Sequence, residues 1–388
     1  MNHRLQGLLF VLSLATALVA QEPAAPAMPN PKTPQHERLA AFAGTWRTET
    51  KMAAMPGVPG MEEASEMSGV ENAELICNGL WLKVAGDGTC QGQACSGLWL
   101  LGYDPIAKIG DLRWGVGTST GQGVQGNVTF NKRNFDHCLF YQCLAASSMD
   151  EAPCCIDACY DEATKIWHFQ GNSPMGQFRS EFVFETPDRS VEVAFAKAAD
   201  GKETEFMRTV RTRVKGAAAA EKGTAPAVAV PAELAKLAKP LAALHADFGS
   251  WDADFTMEMP GAPPMKSKCR EVVGPICAGK WTWSTFHGEM MGAPFEGHSL
   301  CGFDSKTEQV VCFWIDSMNG AWMRTDGTYD AGKQTFTMSG TCYDEQGQRR
   351  KVASTTTSAG KDARTLRMVF GEGDGQSVMT IAYRRADK

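Results

Sequence analysis

Residues 296–318 read EGHSLCGFDSKTEQVVCFWIDSM, and this stretch decides the fold class. Segments with a two-residue period, such as Trp314-Ile315-Asp316-Ser317-Met318, lie on either side of the polar turn DSKTEQ. That periodicity around a short polar turn indicates an antiparallel β-hairpin. With the turn centred near Lys306, Cys301 and Cys312 face each other on the two strands, which favours a disulfide between them.

The module that contains this hairpin occurs twice in the chain. The segment ICNGLW (76–81) recurs as ICAGKW (276–281), and SGLWLLGYD (96–104) recurs as EGHSLCGFD (296–304). Within the second copy, strand-like segments follow one another and are joined by short turns. Many short strands in one module predict an up-and-down barrel, in which closure leaves no strand edge unpaired. The sequence therefore predicts an all-β protein made of two tandem antiparallel β-barrels.

The termini and the joining segments divide the chain further. Arg4 followed by the apolar run Leu8 to Val19 and by Ala20 is typical of a secretory signal peptide, cleaved near Ala20. We therefore expect export to the periplasm or the extracellular space. The expected divisions are a signal peptide at 1–20, a Pro/Ala-rich tail at 21–34, a first barrel at 35–215 with an insertion near 105–138, an Ala/Pro-rich linker at 216–240, and a second barrel at 241–388.

Composition excludes some classes of partner and suggests oxidised cysteines. Lys and Arg total 38 against 44 Asp and Glu, and the net charge of −6 without a basic run argues against nucleic-acid binding. The apolar run of the signal segment is too short to span a bilayer, and no other segment resembles a transmembrane helix. The 13 cysteines of an exported chain indicate disulfides, and because the number is odd at least one must be free, bound elsewhere or paired between chains. Cys90 and Cys95 are a second candidate pair, and the oligomeric state stays open.

Four segments of the second copy, in order, resemble a known family. They are MEMPGAPPMKS, FEGHSLCGFD, CFWIDSM and GTYDAGKQTFTMSG, and they resemble the bacterial domain of unknown function 1579. The first copy matches more weakly and keeps GTW, MPGVPG and LLGYDP. The resemblance implies a lipocalin-like barrel and no established activity. The short helix followed by Gly-x-Trp, at Trp46 and Trp251, also looks like the opening of a lipocalin.

The candidate binding residues lie in the second copy. A lipocalin-like barrel would hold a small apolar or amphipathic molecule between aromatic walls, with a few polar groups to orient it. We expect that role for Trp251, Trp281, Trp283, His298, Trp314, Asp316 and Met318. Asp316 could also be a structural carboxylate that fixes the barrel through an internal ion pair or hydrogen bond. The first copy has Ala145, Ser147 and Leu98 in place of Trp314, Asp316 and His298.

Other functions have weaker support in the sequence. No catalytic motif is present, so we expect no catalytic residue, no resident cofactor and no metal ligand set. Barrels filled solid by side chains would instead make a structural or interaction module of the cell envelope. Haem or metal binding through His287 and His298, and copper binding through the clustered methionines, are further alternatives. An enzyme would need Asp316 and His298 within hydrogen-bonding distance of each other.

Overall fold

The computed structural model describes residues 32–55, 62–90, 92–103, 138–147, 154–173, 176–197, 203–216, 239–344 and 348–386. Within these residues the chain forms two rings of ten antiparallel strands. The prediction of two tandem antiparallel barrels is therefore confirmed. The signal peptide, the tail up to residue 31, most of the linker and nearly all of the insertion lie outside the described residues, so these assignments stay predictions.

The first barrel follows a short helix, α1 (Pro34–Glu37), and a 3₁₀ turn at Arg38–Ala41. Its first strand, β1, pairs with both β2 and β10, which closes the ring. The strands are β1 (Gly44–Met52), β2 (Ser65–Ile76), β3 (Trp81–Cys90), β4 (Gln93–Tyr103), β5 (Cys138–Ser147), β6 (Cys154–Asp161), β7 (Ile166–Ser173), β8 (Gly176–Thr186), β9 (Arg189–Lys197) and β10 (Glu203–Arg213). A 3₁₀ turn, Cys77–Gly79, joins β2 to β3.

The second barrel repeats this order. Helix α2 (Lys239–Ala246) leads into β11, which pairs with both β12 and β20. The strands are β11 (Gly249–Glu258), β12 (Met265–Ile276), β13 (Trp281–Met290), β14 (Ala293–Asp304), β15 (Gln309–Asp316), β16 (Met323–Asp330), β17 (Thr335–Tyr343), β18 (Arg349–Ser358), β19 (Ala363–Phe370) and β20 (Ser377–Arg385). The 3₁₀ turns are Cys277–Gly279, between β12 and β13, and Gly373–Gly375.

The Gly-x-Trp entry fixes the end of each barrel that lies beside its helix. Trp251 donates its indole N–H to the carbonyl oxygen of Asp247 at 2.8 Å, just after α2 ends. The guanidinium of Arg385 lies 4.1 Å from the centre of the Trp251 ring and donates to the carbonyl oxygens of Ala246 and Phe248. These donors satisfy carbonyl groups that a helix end leaves unpaired. Trp46 and Arg213 repeat the arrangement in the first barrel.

Buried apolar side chains form separate clusters inside the two barrels and a third cluster between them. Alternation along the strands assigns each residue to one face: Leu82 lies in the first interior, while its neighbour Trp81 points outwards. The third cluster joins outward-facing residues of both barrels, among them Trp81, Leu100, Leu300 and Phe313. Strands β3, β4, β14 and β15 are thus buried on both faces, which explains why β15 reads as an almost continuous apolar run.

No helix among the described residues is long and apolar enough to cross a membrane.

Candidate ligand-binding site in the second barrel

The predicted aromatic wall divides between the two faces of the second barrel. Trp251, Trp314 and Met318 lie in the interior cluster, together with Phe255, Phe286, Phe295, Ile381 and Tyr383. The strands run from the α2 end to the opposite end, called here the far end, where β11 connects to β12 and β15 to β16. Trp251 begins β11 beside α2, whereas Trp314 and Met318 are at the far end. The interior is therefore lined with aromatic side chains from one end to the other.

Trp281, Trp283 and His298 point outwards, which corrects their assignment to the inner wall. Trp281 is 1% exposed because it is covered by the first barrel. Trp283 packs against the same inter-barrel cluster and stacks on His298 with ring centres 4.8 Å apart. The sequence suggested an inner wall because large apolar residues are expected at buried positions. Trp281 is indeed buried and Trp283 partly buried, but against the cluster shared with the first barrel and not inside the second. An isolated barrel would expose these side chains, and the sequence pattern alone does not show a second barrel against them.

Trp314 is the main aromatic residue near the far end. Its ring lies parallel to Phe295 at 6.4 Å and edge-on to Phe286 at 6.2 Å between ring centres. A Cβ atom on Gly297, the neighbour on β14, would collide with the Trp314 ring, so glycine makes room for the indole. Trp314 is only partly buried. An aromatic ring that is held in place and partly exposed can contact a ligand without rearranging.

Asp316 accepts three hydrogen bonds from its own surroundings. Its carboxylate receives the indole N–H of Trp314 and the backbone N–H groups of Met318 and Asn319, each at 2.9 Å. Burial raises the pKa of Asp316, and these three donors oppose the shift. The carboxylate thus fixes the turn after β15 and the angle of Trp314. This arrangement matches the structural role that the sequence left open, and it positions the aromatic ring.

Asp316 and His298 do not lie within hydrogen-bonding distance of each other, as an acid–base pair would require. His298 lies on the outer face, and its Nε2 atom is 2.8 Å from Oε1 of Glu296. Asp316 faces the interior and bonds to Trp314 and the following turn. The strand register pairs Asp316 with Gly297 and His298 with Ile315, so the two side chains alternate to opposite faces. An acid–base mechanism through this pair is not supported.

A buried ionic cluster near α2 was missed by the sequence interpretation. Arg364 is 7% exposed and forms ion pairs with Asp247 and Glu271. Its guanidinium lies 4.5 Å from the ring centre of Trp251 and 4.4 Å from that of Tyr383. Burial raises the pKa of both carboxyl groups, and Arg364 opposes the shift. The sequence contained one indication of this cluster. Glu271 alternates in step with the inward-facing residues of β12, and the first copy has Glu71 at the same position.

Methionines line the far end of the interior. Met257, Met265 and Met379 are neighbours through the strand pairing of β11 with β12 and β20, and all three are partly buried. Met318 adds a fourth thioether from the turn after β15. Flexible, polarisable side chains adapt to ligands of different shape. Among the described residues, no three His, Cys, Asp or Glu side chains are placed to hold a metal ion.

The first barrel has a different interior. Thr48 and Thr50 occupy the positions of Ala253 and Phe255, and Thr50 shares a 2.8 Å hydrogen bond with Thr209 of β10. Near α1, Phe42 contacts the rings of Trp99, Trp167, Phe182 and Phe184. The first interior is therefore polar along β1 and packed with aromatic rings beside its helix, so the second interior is the better match for an apolar molecule.

The predicted bond between Cys301 and Cys312 is present, and their Cα atoms lie 4.2 Å apart in directly opposed positions of β14 and β15. Cys159 is also disulfide-bonded. The Cys90 side chain lies outside the described part of the chain, so its predicted bond to Cys95 stays a prediction. In the β3–β4 register Cys90 is opposite Gln93, and Cys95 is opposite Gly88.

Sequence comparison assigns the chain to a family. The model described as "Protein of unknown function (DUF1579)" matches residues 31–115 and 238–385, which is more than half of the chain. The chain belongs to this family. The two matched regions confirm the resemblance found in both copies, and no curated protein matches the chain.

Several solved structures are similar to parts of the chain. Rv2717c from M. tuberculosis is 14% identical, with a TM-score of 0.33, over 39% of this chain and 99% of its own. An S-type phycobiliprotein lyase, CPES, from Guillardia theta is 12% identical, with a TM-score of 0.29, over 37% and 91%. A protein of unknown function from the DUF3598 family of Nostoc punctiforme is 10% identical, with a TM-score of 0.24, over 92% and 100%. Similarities this low carry no argument about function.

Proposed function

We propose that this chain is an exported, non-catalytic protein that binds a small apolar or amphipathic molecule inside its second barrel. The observation that carries the proposal is the lining of that barrel: aromatic side chains and methionines extend from the α2 end to the far end, where Trp314 and the four methionines named above are only partly buried. Burial of a ligand's apolar surface against such side chains stabilises the complex by roughly 25 cal/mol per Å² of apolar area removed from water.

The polar groups of the interior define the class of ligand. Arg364 is already paired with two carboxylates near α2, and Asp316 already accepts three hydrogen bonds near Trp314. A ligand that brings a second buried negative charge would need a cation of its own. We therefore expect the apolar part of the ligand to provide most of the affinity, with any charged head remaining at the far end in contact with water.

The test uses the purified full-length protein in two ways. Extraction with organic solvent followed by mass spectrometry should release a co-purifying apolar molecule. Titration with a brominated fatty alcohol should quench tryptophan fluorescence, because bromine atoms close to Trp314 quench the indole. A clean extract together with unchanged fluorescence would contradict the proposal.

A pair of methionine variants locates the binding site. Met318→Arg places a charge in the interior cluster and should abolish quenching. Met259→Arg is the matched control because Met259 is 42% exposed, and quenching should persist. Equal quenching in both variants would show that the probe binds elsewhere.

The alternative of solid barrels acting as an interaction module has support in the first copy. The contacts that Phe42 makes with Trp99, Trp167, Phe182 and Phe184 pack that interior at its helix end. We propose that the first barrel carries no ligand and serves the second as a packing partner. Quenching confined to tryptophans of the second barrel would agree with that division.

A further inference from the structure

The two barrels contact each other through equivalent surfaces. The Cys77–Gly79 turn of the first barrel lies against β14 of the second, and the Cys277–Gly279 turn of the second lies against β4 of the first. Strands β4 and β14 occupy the same place in the repeat. A contact in which each partner uses the same two elements reciprocally is the pattern of a two-fold symmetric dimer.

The two turns also share an uncommon backbone. Cys77 and Asn78 have φ values of 53° and 57°, and Cys277 and Ala278 have 52° and 53°. Non-glycine residues with left-handed φ are uncommon and cost free energy unless their surroundings hold them. Here the same strained conformation recurs at both contacts between the barrels. The interface therefore receives a turn of the same backbone conformation from each barrel.

The apolar part of the interface is as well buried as a protein core. Trp81, Leu98 and Leu100 of the first barrel and Leu300 and Phe313 of the second are each at most 2% exposed, although they project from the outer faces of their barrels. Cys277, Trp281, Val311, Ile315 and Trp322 belong to the same cluster. A second barrel without its partner would expose a contiguous apolar patch of a kind that monomeric soluble proteins rarely carry.

Polar contacts accompany the apolar cluster at the edge of the interface. Oε2 of Glu296 accepts the backbone N–H of Cys77 at 3.0 Å, and Oε1 of the same carboxylate is 2.8 Å from His298. The ammonium group of Lys83 lies 5.1 Å from the ring centre of Trp283. The repeat places Ser96 and Leu98 at the positions of Glu296 and His298, so the carboxylate and the imidazole of this contact come from the second barrel alone.

We propose that this face is a dimerisation surface whose partner is another barrel of the same family, supplied here by the first half of the chain. The chain is then an internal dimer, and the two halves stay associated without a covalent connection. This inference does not depend on whether the second barrel binds a ligand.

The test introduces a specific protease site between residues 217 and 238 of the full-length chain. After complete cleavage, the two halves should co-elute in size-exclusion chromatography with light scattering, at the mass of the uncut protein. Elution of the two halves at their separate masses, with the hairpins and strands of each still protected from hydrogen exchange, would overturn the proposal.

Two variants of the cleavable protein show which surface holds the halves together. Leu100→Asp should separate them, whereas Leu75→Asp, at a position 37% exposed and outside the cluster, should not. If Leu100→Asp fails to fold, Leu100→Ala should raise the dissociation constant of the cut halves by about tenfold or more. An unchanged dissociation constant in Leu100→Ala would also overturn the proposal.

Discussion

Replacement of Arg364 by methionine tests the buried ionic cluster of the second barrel. Arg364 is 7% exposed and pairs with Asp247 and Glu271, whose side chains are 17% and 10% exposed. Methionine retains most of the length and the apolar contact with Trp251 but removes the charge. Breaking a buried ion pair on one side costs about 3–5 kcal/mol, because the remaining charge loses its partner without regaining water. We expect the Arg364→Met variant to lose that much free energy of unfolding at pH 7.

The pH dependence of this loss has a defined sign. Burial already raises the pKa of Asp247 and Glu271, and removal of Arg364 takes away the interaction that lowers them. A carboxyl group with a raised folded pKa binds its proton more tightly in the folded state. The free energy of unfolding of Arg364→Met therefore rises as the pH falls from the raised pKa of the folded state towards the ordinary pKa of a carboxyl group. For each carboxyl group still protonated at pH 7 in the folded variant, the regain is about 1.4 kcal/mol per pH unit, or nearly 3 kcal/mol between pH 7 and pH 5.

The assay must distinguish the two barrels because both contain tryptophan. Urea denaturation followed by pulsed hydrogen exchange and mass spectrometry reports unfolding of β11–β20 separately from that of β1–β10. Arg211→Met is the matched control, since Arg211 pairs with Glu71 and Glu192 inside the first barrel. Its effect should appear first in peptides of the first barrel. A loss below about 1 kcal/mol in Arg364→Met, or a stability that falls from pH 7 to pH 5, would refute the reasoning.

Two substitutions test local packing in the second barrel. Gly302→Ala places a methyl group against the Trp281 ring and should cost about 1–3 kcal/mol in the same urea assay, whereas Gly274→Ala, where a Cβ atom would meet nothing within 4 Å, should cost less than 1 kcal/mol. In Asp316→Asn, one oxygen still accepts from Met318 and Asn319, so the NH2 group replaces the acceptor of the Trp314 indole N–H, and the change should cost about 1–3 kcal/mol at pH 7. In a double-mutant cycle, Asp316→Asn should cost less free energy of unfolding in a Trp314→Phe background than in the natural sequence. Strictly additive losses would contradict the proposed hydrogen bond.

The sequence predicted the fold from local information. The hairpin 296–318 gave strand periodicity, turn chemistry and the Cys301–Cys312 pair, all of which depend on neighbours a few residues away. Of the expected wall residues, Trp251, Trp314 and Met318 lie in the interior cluster, whereas Trp281, Trp283 and His298 point outwards. Alternation could not separate the two sets, because it identifies two faces of a strand without saying which one is inside. When both faces are buried, hydrophobicity does not separate them.

The cross-strand registers show that one large interior side chain comes from different strands in the two copies. Ser299 pairs with Trp314 in the second barrel, and the equivalent pair in the first is Trp99 with Ala145. The large side chain has moved to the facing strand, where Trp99 contacts Phe42 in the interior. A close-packed interior conserves the volume shared by a pair of neighbours more strictly than the residue at either position.

The buried arginine has moved in the same way. Register places Arg211 of β10 beside Ser190 of β9, and Tyr383 of β20 beside Arg364 of β19. The arginine thus comes from adjacent strands in the two copies, yet in each it pairs with the repeated glutamate, Glu71 or Glu271. A buried carboxylate needs a cation beside it, but that cation can come from either of two adjacent strands. The ion pair can therefore persist although the arginine lies on a different strand in each copy. What remains specific to the second copy is the apolar lining from Ala253 and Phe255 to the methionines of the far end, and this difference in the interior, rather than any single lost residue, distinguishes the proposed binding barrel from its packing partner.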